Sequence, residues 1–157
     1  MKTLNTILLI MIALSFNTHG QTSSQQKPSQ NYDAKLAKKL GADDYGMKIY
    51  VFAMLKRGTI KIEDPEKRKI LLDGHLKNIG RLAEAGKLVV AGPFMDDQDW
   101  RGIFVFDVQT VEEAQKLVGT DPAIQAGLFE FELHPWYGSA TLLEIIKIHK
   151  TIQKKEF

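Results

Sequence analysis

Cysteine is absent from all 157 positions. That removes disulfides, thiol nucleophiles and thiolate metal sites from the chemistry open to the chain. It also excludes a lipid-anchored lipoprotein, which needs a cysteine after its leader. An excess of charge of either sign is lacking as well, with a formal net charge of +2. A phosphate-binding face normally shows as a basic excess, so no nucleic-acid partner is expected. There is no glycine-rich phosphate loop and no serine in a nucleophile elbow. Asp96, Asp97 and Asp99 lack the glycine and glutamate spacing of a calcium loop. No cofactor is expected, and no metal. The hydrophobic content of 44% is enough for a proper core. One domain of roughly 100 residues with appendages is the natural expectation.

Lys2, an apolar run from Ile7 to Phe16, and small residues at Thr18 and Gly20 have the layout of a secretory signal. The run is short against the roughly 20 residues that span a bilayer. Cleavage after Gly20 is expected, giving a signal peptide over 1–20 and a periplasmic or secreted protein with no lasting membrane contact. The alternative is an uncleaved anchor. Residues 21–46 are polar and read as a linker, with a helical turn at Ala34–Leu40. Gly41, Asp43, Asp44 and Gly46 mark its end.

Met47–Leu55 is almost continuously apolar, as suits a central strand covered on both faces. Asp64 and Pro65 are an N-cap and first residue for a helix that Gly86 ends. Leu88–Ala91 is a strand stopped by Gly92-Pro93, and Ile103–Val108 is another. Thr110 and Glu113 form a capping box that opens a second helix at Val111. Asp121-Pro122 caps a short turn closed by Gly127. Leu128–Leu133 alternates apolar with Glu130 and Glu132, as a strand with one wet face does.

Two βαβ units in this order give an α+β, ferredoxin-like βαββαβ fold. It has a four-stranded antiparallel sheet with both helices on one face. The first strand is apolar on both sides, so the other face needs a cover. A second copy packed sheet to sheet, a dimeric α/β barrel, would supply it. The core domain is 47–137. Residues 138–157 form a C-terminal amphipathic helix that packs on its own domain or its partner, with a membrane surface as the alternative.

Within the first helix, Leu72, Leu76, Ile79, Leu82 and Ala83 recur at the spacing of one apolar face, and His75 falls inside that stripe. An imidazole can take and give a proton at neutral pH, and a carboxylate on its other nitrogen fixes the tautomer. Asp121, at the short turn before the last strand, is the candidate carboxylate. The plainer alternative is a satisfied core histidine and a simple N-cap. Gly92 and Pro93 shape a pocket wall or merely a turn. Arg101 offers a fork for a substrate carboxylate or is only a solvated charge. His134 could add a metal ligand to His75 and Asp121, but the three lack a recognisable spacing.

The helix carrying His75-Leu76, the run EAGKLVVAGPF from Glu84, the EEA of the second helix, DPAIQAG from Asp121, and Pro135 with Trp136 resemble the YCII-related domain family. The match covers Met47 to Trp136. The resemblance implies a ferredoxin-like fold, a homodimer and a pocket whose His and Asp work as an acid–base pair. Here those are His75 and Asp121. It names no substrate. The expected function is cofactor-free acid–base chemistry, an isomerisation or elimination, on a small organic molecule bound near Gly92, Pro93 and Arg101. The alternative is a non-catalytic module that binds small molecules or serves assembly.

Overall fold

The computed structural model describes residues 29–155. The signal peptide expected over 1–20 and the first part of the linker lie outside them. No helix of the described residues is long and apolar enough to cross a membrane.

The core elements are β1 (Met47–Arg57), α2 (Pro65–Glu84), β2 (Leu88–Pro93), β3 (Trp100–Phe106), α3 (Val111–Val118), α4 (Pro122–Gln125) and β4 (Phe129–Ser139); α1 (Ala34–Leu40) precedes them. The strands form one antiparallel sheet in the order β2-β3-β1-β4, which is the ferredoxin-like arrangement. Local chemistry sets the helix ends. The Asp64 carboxylate accepts from Glu66 N at 2.9 Å, Pro65 takes the first turn, and Gly86 follows α2 at φ +67°. Only glycine adopts that left-handed conformation at little cost.

β1 is central and divides its residues between two cores. Val51, Ala53 and Leu55 face α2 and α3 with Phe104 and Phe106. Tyr50 faces the other way, with Val89 and Val105. Tyr50 is fully buried, and its hydroxyl donates to Ser139 O at 3.0 Å, so the one polar atom of the ring is satisfied.

Leu142 and Leu143 pack onto the Tyr50 side. The tail therefore covers part of the face that the sequence suggested a second copy would cover. It does so as two pieces, a 3₁₀ helix (Ala140–Glu144) and α5 (Ile145–Ile152). Within the stretch read as linker, α1 is capped by Asp33, has Leu40 buried, and is tied to the tail by Lys39–Glu144 at 3.0 Å.

β4 runs past the expected end at Leu133 to Ser139, and β1 past Leu55 to Arg57. Pro135 sits inside β4, opposite Val51. An edge strand tolerates this because the missing N–H can point away from the sheet. Beyond it, the Trp136 ring lies against Tyr50 and Phe52 and over Gly138, where a Cβ would come within 2.4 Å of the indole.

Candidate functional site

His75 projects from the middle of α2 toward the sheet, between the rings of Phe104 on β3 (5.9 Å between centroids) and Phe129 on β4 (5.2 Å). Asp121 is the N-cap of α4 and 1% exposed. Its Oδ1 accepts from Ala123 N at 2.9 Å, and its Oδ2 lies 2.6 Å from His75 Nδ1. Both carboxylate oxygens are thus engaged, which a buried acid requires. An ionised carboxylate can only accept, so with Asp121 charged the shared proton belongs on Nδ1. Among the described residues Nε2 has no hydrogen-bond partner, and no buried side-chain nitrogen or oxygen lacks one. Nε2 is therefore the ring atom open to the surface, carrying a lone pair.

Two further attachments hold the turn before β4 against α2. On one side of Asp121, the Thr120 hydroxyl donates to Asn78 Oδ1 at 3.1 Å. Arg81 donates to Asn78 Oδ1 at 2.7 Å and to Thr120 Oγ1 at 2.8 Å. Asn78 is one helical turn after His75 and is buried. On the other side, Pro122 packs against Gly74, the residue before His75. Sequence reading did not single out Gly74, Asn78, Thr120, Phe104 or Phe129. For Asn78 there was a signal: a polar amide three residues from His75 on the same inward stripe.

The remaining candidates lie elsewhere. Gly92 and Pro93 end β2, exposed, opposite Ile103 and Gly102, and make no hydrogen bond with the pair. Pro93 nevertheless faces Gly102, two residues along β3 from Phe104. Arg101 is the extra residue where β3 bulges, since Leu55 pairs with Gly102 and Lys56 with Trp100. Its guanidinium donates to Asp97 Oδ1 at 3.2 Å and to Gln98 O at 3.3 Å. Arg57 also donates to Asp97 at 2.8 Å. Those two guanidiniums, Arg57 first, hold the Asp97 carboxyl below its usual range. Arg101 is thus engaged with the acidic loop. His134 pairs with Phe52 across the ladder, so it belongs to the opposite sheet face, exposed and 3.9 Å from Glu132. It does not join His75. A hollow of about 390 Å³ opens away from the pair, between the end of α2 and the tail, with Val89, Leu143 and Ile146 among its lining residues.

The sequence model of the YCII-related domain family matches residues 47–137, more than half of the chain. None of the curated proteins matches it. Among solved structures, the chain is similar to 5-chloro-2-hydroxyhydroquinone dehydrochlorinase from Burkholderia phenoliruptrix, in complex with 2,5-dihydroxybenzoquinone. The identity is 23% and the TM-score 0.41, over 55% of this chain and 92% of that one.

Proposed function

The chain belongs to the YCII-related domain family, and on that premise we propose that it is an enzyme moving protons on a small organic molecule. His75 is its acid–base residue and Asp121 the partner of that residue. The observation that carries the reading is the 2.6 Å contact between Nδ1 and Oδ2, with Nε2 left open. With the proton lodged on Nδ1, the Nε2 lone pair takes a proton from an acidified C–H or O–H of the substrate. The electrons of that bond form a new π bond. In an elimination they expel a leaving group with its own electron pair; in an isomerisation the imidazolium returns the proton at another carbon. Asp121 stabilises the imidazolium between the two events, and the proton transfer by His75 itself is worth typically about 10²–10⁴-fold. Phe104 and Phe129 supply flat apolar walls on either side of the ring. Gly92 and Pro93, at the rim of the same sheet region, and Arg101 beyond them remain the substrate-binding candidates of this reading.

The protein acts as a homodimer, and the apolar residues on the sheet face away from α2 support this. Export of the mature chain from about Gln21 completes the reading, with 1–20 as signal peptide, 21–46 as linker, 47–137 as catalytic domain and 138–157 as tail. N-terminal sequencing of the exported protein tests that part, since an intact Met1 would refute cleavage.

The decisive experiment is a substrate screen with wild type and His75→Ala. Turnover that falls at least about 100-fold in the variant, with the fold intact, supports the assignment. Equal turnover in both removes His75 from the chemistry.

A further inference from the structure

Glycine inside a long helix weakens it relative to alanine, so an interior glycine needs a reason. α2 has two, Gly74 and Gly80. A Cβ built on Gly80 would meet nothing within 4 Å. A Cβ on Gly74 would lie 2.6 Å from Pro122 Cγ, far inside contact distance. Pro122 cannot swing aside, because its ring is fused to the backbone of α4. Asp121, whose carboxylate reaches His75, immediately precedes it.

We propose that Gly74 is a positioning residue for the His75–Asp121 pair. Its missing side chain admits Pro122 to the surface of α2 and so sets the reach of the carboxylate. Optimal carbon–carbon separation is roughly 3.5–4.0 Å, so a methyl group at 74 drives Pro122 back by about 1 Å. Asp121 and Pro122 are consecutive residues of one helix cap, so the carboxylate retreats together with the ring. A retreat of about 1 Å from the present 2.6 Å stretches the contact to Nδ1 past hydrogen-bond range. The helix therefore gives up some local stability at the residue before its histidine, where the second half of the fold must come closest. This inference deepens the acid–base reading, but what it needs is the geometry of the pair and not turnover.

The test is the tautomer of the His75 ring, read from its ¹⁵N shifts at neutral ring charge in the full mature chain. Wild type and Gly80→Ala should carry the proton on Nδ1. Asp121→Asn, whose amide can donate to Nδ1, marks the alternative with the proton on Nε2. Gly74→Ala should match Asp121→Asn while keeping wild-type amide shifts in the sheet. Adding Pro122→Ala removes the clashing Cγ and leaves the Cβ at 3.6 Å, an ordinary contact. The double variant should recover the Nδ1 proton. Retention of that proton in Gly74→Ala alone overturns the proposal. So does a double variant that does not fold, or that folds with its proton on Nε2. Should Gly74→Ala fail to fold, the double variant decides alone. A wild-type ring already protonated at Nε2 would remove the bond on which the inference depends. Lack of turnover on every compound screened would sink the enzymatic reading and leave the tautomer result standing.

Discussion

At the scale of single residues, burial and partners decide what each polar group can do. Asp121 is buried yet doubly satisfied, while His75 keeps one nitrogen outside. Nothing local in the sequence dictates that they meet, since 46 positions separate them. The inward stripe of α2 and the Asp-Pro cap showed only that each was available. The partners of Arg101 were half legible, since Asp97 lies four residues before it while Arg57 is brought to the same carboxylate by the pairing of β1 with β3. Tyr50 gives a prediction of its own. Burial first, and the Asp107 carboxylate second, push its phenol up from 10.0 to about 12. A folded-state pKa raised above the unfolded one means stability that is fully present below pH 10.0 and is lost as pH climbs toward about 12. The unfolding free energy from urea titration should fall across that window by up to about 3 kcal/mol. Tyr50→Phe should start about 1 kcal/mol lower, having lost the bond to Ser139 O, and then show a shallower alkaline loss. A slope unchanged by that substitution would mean that another group governs the transition.

Elements with strong end signals were legible. α2 has Asp64 and Pro65 at one end and Gly86 at the other, and both ends fall where the sequence put them. β4 was cut short at Leu133, where the alternation ends, and position in the sheet, which sequence does not display, is what lets it continue through Pro135. The tail reads as one amphipathic helix by periodicity. It is split because Leu142 and Leu143 dock on Val89, Val105 and Tyr50, and the chain makes that contact in 3₁₀ form before α5 begins. Removing residues 140–157 should therefore uncover the Tyr50 core. The expected loss is about 3 kcal/mol, with new binding of a hydrophobic dye. Chemical denaturation of the truncated chain measures it. Wild-type stability and no dye binding would show that the tail is a bystander.

For the whole molecule, the sheet has two faces of unequal cover. α2 and α3 close one, and the tail closes the Tyr50 end of the other. Phe52, Met54 and Ile103 remain only half-buried there, beside a Trp136 that is 38% exposed. Met54→Glu, which sets a second carboxylate beside Glu132 in the ladder, should convert a dimer to a folded monomer by light scattering at micromolar concentration. A wild type that is already monomeric under those conditions would refute assembly through this face. The edges of the sheet pose a different problem. β4 is an eleven-residue strand with no neighbour on its outer side among the described residues, and a long bare edge is a template on which other chains can polymerise. Pro135 lies near its middle, and the register with β1 runs unbroken through it. The outward row of hydrogen-bond donors is therefore interrupted where an incoming strand would need it, so the proline inside β4 also guards the protein against aggregation.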